Sequence, residues 1–207
     1  MKLWYSTSTA STPVHLTLEE AGARYERTEV SWQRDLNVAG LERLNPLGTV
    51  PVLELDDGRV LTQSLAIMEH VADAHPGAQL LAAPGTPERA AILGWMCFAA
   101  MDLFRNFTPL VQAEAMTAQA AAHPEIRAWA EGRVHDLLAH VERSLTGRTW
   151  IAADRFTIAD AWLYYAAKLA GWLEVDLARY PELGRYLTRV EARPAARRIL
   201  ELEGLLD

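Results

Sequence analysis

The sequence predicts an α/β domain of element order βαβαββα, followed by an all-helical domain. Two observations predict this organisation. Residues 1 to about 75 alternate between strand-like and helix-like segments, and after residue 88 the apolar residues recur only at helical spacing. The stretch between them, "HPGAQLLAAPGTPE", carries three prolines and two glycines, a composition typical of linkers. We therefore predict domains at residues 1–77 and 88–207, joined by a linker at residues 78–87.

The elements of the first half follow from short local patterns. "KLWY" predicts a buried strand, and Pro13, a favoured first helical residue, opens a helix that ends at Gly22. "RYERTEV" alternates as a second strand, and a short polar helix is expected at residues 36–44. Residues 50–55 and 60–62 are predicted strands around an Asp57-Gly58 turn, and "SLAIMEHVADAH" is the third helix. A βαβ unit needs parallel strands and a hairpin antiparallel ones, so the sheet should be mixed.

The second half contains no alternating strand pattern. Apolar periodicity predicts helices at residues 90–116, 126–145, 159–173 and 183–191, and "RPAARRILELEGLL" adds a short terminal helix. In "RFTIADAWLYYAA", Thr157 can cap a helix while the Asp160 carboxylate reaches back to the Thr157 amide, which is a capping box. Such a box concerns folding rather than chemistry. The helix at 90–116 carries more apolar surface than one small bundle needs.

Composition excludes several classes of function. Half of the 207 residues are apolar and 23% are charged, as in an ordinary soluble protein. No apolar run approaches the roughly 18 residues of a membrane span, and the first residues lack a signal-peptide core, so we expect a cytoplasmic protein without a membrane partner. The net charge of −7 argues against nucleic acid. The single cysteine excludes an internal disulfide, and the six histidines show no ligand spacing, so no metal is predicted.

Taken in order, these segments resemble the glutathione transferase family. "GTVPVLELDDGRVLTQSLAI" is similar to the glutathione-binding segment of that family, and "FTIADAWL" stands near the end of the helical domain as it does there. The pieces "MKLWY", "HLTLEEAG", "NPLGTVPVL", "FTPL" and "RFTIADAWL" look most like the bacterial beta class. The resemblance spans essentially the whole chain. It implies a thioredoxin-like first domain, glutathione as cosubstrate and a homodimer, although this fold also hosts isomerases, reductive enzymes and non-enzymatic proteins.

The resemblance places the peptide ligand on two segments of the first domain. It implies a cis Val50-Pro51 bond, next to Thr49, whose flanking backbone groups pair with the cysteinyl backbone of glutathione. Without the resemblance, Pro51 is simply the first residue of an edge strand. Ser64, after Gln63, starts the third helix, where its hydroxyl and the free amides form an anion pocket for the γ-glutamyl carboxylate. Without the resemblance, Ser64 is an N-cap.

Two further contacts with glutathione are implied by the resemblance. Arg34, beside Gln33 in the loop after the second strand, is expected to meet the glycyl end of the peptide. Asp102, on the long helix, is expected to meet the glutathione amino group, in some relatives across the dimer. A charged helix residue such as Asp102 is otherwise a solvated one.

The catalytic position departs from the beta class. A transferase must hold glutathione as a thiolate, and a free thiol is only a few per cent ionised near neutral pH. Beta-class proteins carry a cysteine aligned with Ala10 and a histidine aligned with Phe104, so mixed-disulfide chemistry is excluded here. Ser11, at the start of the first helix, is our first candidate for the activating hydroxyl, and Tyr5 is the second. The hydroxyls of Ser6, Thr7, Ser8 and Thr9 stay open as alternatives.

Other reactive or apolar side chains receive a structural interpretation. Cys97 is predicted to be a buried packing residue, and His15 a helix residue near the domain interface. An apolar wall for the electrophile, or simply core, is predicted from Met101, Phe104, Arg105, Phe107 and Trp162. Two functions follow: a transferase that conjugates the glutathione thiolate to a hydrophobic electrophilic small molecule, or a catalytically weak binding or regulatory protein that keeps the ligand site.

Overall fold

The computed structural model describes residues 1–30 and 40–205. Within that part of the chain the strands form one sheet in the order β2-β1-β3-β4. β1 is parallel to β2 and antiparallel to β3, and β3 is antiparallel to β4. The predicted mixed sheet is therefore confirmed. The strands are β1 (Lys2–Tyr5), β2 (Glu26–Glu29), β3 (Val52–Glu54) and β4 (Val60–Thr62).

The helices follow the predicted order. Those of the first half are α1 (Thr12–Glu20), α2 (Leu41–Leu44) and α3 (Ser64–Ala74). After them come α4 (Pro87–Cys97), α5 (Phe107–Val111), α6 (Ala113–Met116), α7 (His123–Leu145), α8 (Ile158–Trp172), α9 (Pro181–Glu191) and α10 (Pro194–Glu203). The order βαβαββα followed by helices is confirmed. The predicted start of the second helix, at residue 36, lies outside the described residues. None of the described helices combines the length and the apolar character that crossing a membrane requires.

Contacts group the last helix with the first part of the chain. One compact unit comprises Met1–Pro84 together with the segment from Glu191 onward, and the other comprises Gly85–Val190. α10 packs on α1, and the guanidinium of Arg193, the residue before α10, donates two hydrogen bonds of 2.6 and 2.7 Å to the Glu20 carboxylate. The contacts made by α10 bridge long sequence separations that local patterns do not report, and the predicted domains at residues 1–77 and 88–207 stay a prediction.

The sheet of the first unit buries both of its faces. Alternation along β1 puts Leu3 on one face and Trp4 on the other. Trp4 and Val52, which are register partners, pack in one cluster with Leu41 of α2 and with Val30. Leu3 and its register partner Leu53 are fully buried, like Ile67 and Met68 of α3. α1 and α3 contact each other.

The predicted helix at residues 90–116 is not continuous, and that prediction was wrong. α4 ends at Cys97 and continues as a π-helical segment, Phe98–Leu103, and a 3₁₀ turn, Phe104–Asn106, before α5 and α6. Pro109 lacks the N–H that would bond to the Arg105 carbonyl, so a regular α-helix cannot pass through it unbroken. The 3₁₀ turn at Phe104–Asn106 contains Arg105, the residue whose carbonyl lacks this bond.

The predicted capping box at the start of α8 is confirmed. The Thr157 amide donates to Asp160 Oδ2 at 2.8 Å, and the Thr157 hydroxyl donates to the same oxygen at 2.9 Å. The Asp160 carboxylate also makes hydrogen bonds that the sequence did not predict. Its Oδ1 accepts from the Ile151 amide at 3.0 Å and from the Tyr186 hydroxyl at 3.2 Å. Asp160 is fully buried. It therefore joins α8, the 151–157 loop and α9 in the second unit.

Candidate functional site

One edge of the sheet collects most of the predicted site residues. Trp4 pairs with Val52, and Val52 pairs with Thr62, so these three residues form one row across the sheet. Tyr5 follows Trp4 at the end of β1, and Gln63 follows Thr62 at the end of β4. Val50 and Pro51 directly precede Val52 at the start of β3. The register therefore brings the loop before α1, the Val50-Pro51 step and the start of α3 to the same edge.

The Val50-Pro51 peptide bond is cis, as predicted. Pro51 is buried, and Val50 is half-buried and lies before the first register pair of β3. Asn45, which the sequence analysis overlooked, braces the loop that leads into this step. Its side-chain amide donates to the Thr49 carbonyl at 2.8 Å and to the Thr49 hydroxyl at 3.0 Å, while its Oδ1 accepts from the Leu47 amide. The Asn45-Pro46 pair is a turn signal that could have identified it.

Ser64 is the first residue of α3, and its side chain is half-buried. Gln63 precedes it with φ 69°, a left-handed conformation that is uncommon for a residue with a side chain. The Gln63 side chain makes no cap hydrogen bond, so the first amides of this eleven-residue helix are not capped by it. Free amides, a hydroxyl and the positive end of the helix dipole together favour an anion at this point.

Ser11 is buried within a network of hydroxyls at the start of α1. Its Oγ lies 3.0 Å from Thr9 Oγ1 and accepts from the Ser6 amide at 3.4 Å. Thr9 Oγ1 also lies 2.7 Å from the Ser6 carbonyl oxygen. Thr9 has one hydroxyl hydrogen, so when it donates to Ser6 the Ser11 hydrogen is free to donate to Thr9 or to a ligand. Ser11 is 0% exposed, whereas Thr9 is half-buried.

Tyr5 is also buried, at 5% exposure, and its ring lies against His15 with centroids 4.9 Å apart. Burial, followed by the negative charge of Glu29, raises the pKa of the Tyr5 phenol. The phenol is therefore neutral at physiological pH and is a hydrogen-bond donor rather than a base. His15 and Tyr5 both belong to the first unit, where His15 is completely buried.

The remaining predicted residues lie elsewhere or do not converge. Arg34 and Gln33 lie outside the described residues, and Thr49 is exposed beside Val50. Asp102 lies in the second unit, exposed, on the π-helical segment. Cys97 is exposed, so its prediction as a buried residue was wrong: it ends α4 on the face away from buried Met96. Its apolar neighbours in sequence concealed this orientation.

The predicted apolar wall is divided between core and surface. Phe107 and Trp162 are buried, and the half-buried Phe104 ring packs on Trp162 with centroids 5.5 Å apart. Met101 is 60% exposed, and Arg105 is exposed too. The larger aromatic members of this set therefore fill the second unit. Within the described residues no three His, Cys, Asp or Glu side chains form a metal-binding group, and the absence of a metal stays a prediction.

Two family models match separate parts of the chain. Residues 7–74 match the glutathione S-transferase N-terminal domain, and residues 107–194 match the glutathione S-transferase C-terminal domain. The chain belongs to the glutathione S-transferase family. The first match contains the whole Val50-to-Ser64 edge, and the second contains the capping box of α8.

Full-length relatives agree with this assignment. Glutathione S-transferase GstA of Escherichia coli O157:H7 is 34% identical, over 99% of this chain and 100% of that protein. The structure of a sphingomonad glutathione S-transferase complexed with glutathione has a TM-score of 0.87 and 33% identity, covering 100% of both chains. A bacterial beta class glutathione S-transferase from Sphingomonas chungbukensis gives a TM-score of 0.87 at 29% identity, again over 100% of both chains. The resemblance to the bacterial beta class is confirmed.

Proposed function

We propose that this chain is a glutathione transferase that joins the thiol sulfur of glutathione to an electrophilic, apolar small molecule. The observation that carries the proposal is the convergence of three binding features on one edge of the sheet: the Val50 step, the uncapped start of α3 and the hydroxyl network before α1. Their chemistry matches the backbone, the carboxylate and the thiol of one short peptide.

Each part of the glutathione molecule is assigned to a different group of residues. Val50 precedes the strand register, so its backbone can extend the sheet by pairing with the cysteinyl residue. The Ser64 hydroxyl and the first amides of α3 hold the γ-glutamyl carboxylate. Arg34 for the glycyl end and Asp102 for the amino group remain parts of the proposal that rest on the family resemblance.

The chemical step requires that the thiol lose its proton before attack. The positive end of α1 and the Ser11 hydroxyl stabilise the resulting thiolate, and the proton passes to solvent. The sulfur then forms a bond to the electrophilic carbon, and the bond from that carbon to its leaving group breaks, with the electron pair departing on the leaving group. The product is a thioether and an anion. We propose that the role is detoxification in the cytoplasm.

A second function, a catalytically weak binding or regulatory protein, is favoured by one observation. Ser11 and Tyr5, the two hydroxyls proposed for thiolate activation, are 0% and 5% exposed. Binding to immobilised glutathione with elution by free glutathione is expected for both functions. Turnover of a model aromatic halide is expected only for the transferase, so a protein that is retained but shows no turnover is the binding protein.

Replacing Ser64 by alanine is expected to weaken glutathione binding by roughly 1–3 kcal/mol, because a charged carboxylate loses one hydrogen-bond donor. Isothermal calorimetry measures the change. Ser144→Ala is the matched control, because its hydroxyl donates to the His140 carbonyl within α7. If the Ser64 variant and the parent bind glutathione with equal affinity, the γ-glutamyl carboxylate does not bind at this helix start.

We also propose that the chain is a homodimer of two-fold symmetry, the commonest oligomer. Large apolar side chains are exposed on the single chain, with Leu47 at 73% and Met101 at 60% exposure. Light scattering at micromolar concentration is expected to give twice the chain mass of 23.0 kDa. A mass of one chain would contradict the dimer.

A further inference from the structure

A buried polar cluster joins the two ends of the chain within the first unit. Glu203, the last residue of α10, accepts a hydrogen bond from the Thr12 hydroxyl at 2.7 Å through Oε2. Its Oε1 lies 2.9 Å from His15 Nδ1. The side chains of His15 and Glu203 are both 0% exposed. Thr12 and His15 are one turn apart, so this single carboxylate holds the first turn of α1 from one side.

The position of Glu203 is unfavourable for its own helix. A carboxylate at the last residue of α10 faces the negative end of that helix dipole, and burying a charge costs free energy unless it is well paired. Both costs are offset at the partner helix, because the first turn of α1 offers a hydroxyl, an imidazole and the positive end of its own dipole. The carboxylate is thus suited to α1 rather than to α10.

Attachment of α10 does not depend on Glu203 alone. Arg193, at the other end of α10, forms a bidentate pair with Glu20, the last residue of α1. Arg198 donates to Glu19 at 3.0 Å. The two ends of α1 are therefore held by different groups: Arg193 and Arg198 bond to its last two residues, and Glu203 bonds to the turn that begins beside Ser11.

We propose that Glu203 is a positioning residue for the reaction, which holds the first turn of α1 so that its amides and the Ser11 hydroxyl meet the thiolate. This inference rests on the proposed function. Thr12 follows Ser11 directly, and the Thr12 amide donates back to the Thr9 carbonyl at 3.0 Å, so displacement of Thr12 moves the hydroxyl network with it. A misplacement of about 1 Å can cost a hundredfold in rate.

The test compares Glu203→Ala, Glu203→Gln and Arg193→Ala, using glutathione and a model aromatic halide. Glu203→Ala is expected to lower kcat about tenfold to a hundredfold and to move the absorbance titration of the bound thiolate to higher pH. The KM for glutathione should change less than about twofold, because Val50 and Ser64 are untouched. Glu203→Gln keeps hydrogen-bonding groups at both oxygens' positions without the charge, and is expected to stay within about threefold of the parent kcat.

Arg193→Ala is the matched control because it loosens α10 at the far end of α1. Its thermal midpoint should fall, while kcat and the thiolate titration stay at the parent values. If Glu203→Ala does not fold, Thr12→Val replaces it: the variant removes the donor to Glu203 and is expected to shift kcat and the titration in the same direction.

If the parent protein is active, three outcomes would overturn the role of Glu203 without affecting the proposed function. They are an unchanged kcat and titration in Glu203→Ala (or in Thr12→Val where it stands in), equal losses in Glu203→Ala and Arg193→Ala, and a Gln variant as impaired as the Ala variant. The last outcome would make charge, not position, the decisive property. A parent with neither turnover nor a thiolate signal would instead overturn the proposed function, and this inference with it.

Discussion

Asp160→Ala is expected to lower the free energy of unfolding by about 3–5 kcal/mol, because several buried donors would lose their acceptor at about 1–3 kcal/mol for each one left unsatisfied. The carboxylate accepts hydrogen bonds from the Ile151 amide and from the Thr157 amide and hydroxyl, and the Tyr186 hydroxyl shares its one hydrogen between Oδ1 and the Asp160 backbone carbonyl. All of these donors belong to buried residues and would be left without this partner. Chemical denaturation of parent and variant at matched pH measures the difference.

Three further variants separate the parts of this network. Thr157→Ala should cost about 0.5–2 kcal/mol, the range for a lost helix cap. Asp160→Asn should remain strongly destabilised, because an amide nitrogen would face one of the two donor pairs. Asp154→Ala, on an exposed residue nearby, should stay within about 0.5 kcal/mol. Burial raises the pKa of Asp160 to about 6, so the comparison is made near pH 8, where the carboxylate is ionised. If Asp160→Ala were as stable as the parent, Asp160 would not be the residue that stabilises the start of α8.

Local chemistry explains why much of the fold could be predicted. The capping box depends on two residues three positions apart, and the β3–β4 hairpin depends on Gly58, whose φ of 83° suits a residue without a side chain. The start of α3 at Ser64 was predicted from the helical segment "SLAIMEHVADAH", which follows the hairpin directly. Each of these features is decided within a few residues, which is the range over which sequence patterns report.

The features that escaped prediction depend on distant partners or on orientation. Glu203 meets Thr12 across 191 positions, and no local pattern connects them. Cys97 lies in an apolar sequence, but its side of α4 faces outward in the single chain. After Cys97 the chain continues as a π-helical segment, a change of winding that the periodicity of apolar residues does not record.

The sequence predicted that the candidate site lies at the starts of two helices. It did not predict how exposed the side chains at those positions are. Ser64 and Ser11 both begin or precede helices, as expected, yet Ser64 is half-buried and Ser11 is completely buried. Accessibility depends on how the loop from Ser6 to Thr9 folds over α1, and that loop is closed by hydroxyl-to-backbone bonds. Consecutive serine and threonine side chains can bond to nearby backbone groups in many alternative ways. The sequence therefore does not determine which of these hydrogen bonds form.

Ser11→Ala is expected to lower kcat with a model aromatic halide by about a hundredfold, the usual effect of removing one donor to a developing anion. Glutathione affinity should stay nearly unchanged, because the hydroxyl acts on the thiolate rather than on the peptide. The absorbance of the bound thiolate, followed against pH, should move to higher pH. The stability of the variant is measured alongside, because Ser11 Oγ also accepts from the Ser6 amide.

Tyr5→Phe is the decisive comparison for Ser11→Ala, because Tyr5 and Ser11 flank the loop at the same edge of the sheet and both residues are buried. Burial raises the pKa of Tyr5, so its phenol stays neutral and would act on a thiolate as a hydrogen-bond donor, as the Ser11 hydroxyl would. A shift of the thiolate titration in Tyr5→Phe but not in Ser11→Ala would assign activation to Tyr5. No shift in either would leave the amides at the start of α1 or the Thr9 hydroxyl as the groups that hold the thiolate. Thr9 then becomes the stronger candidate, because it is a half-buried residue, whereas Ser11 is fully buried, and its hydroxyl belongs to the same hydrogen-bond network.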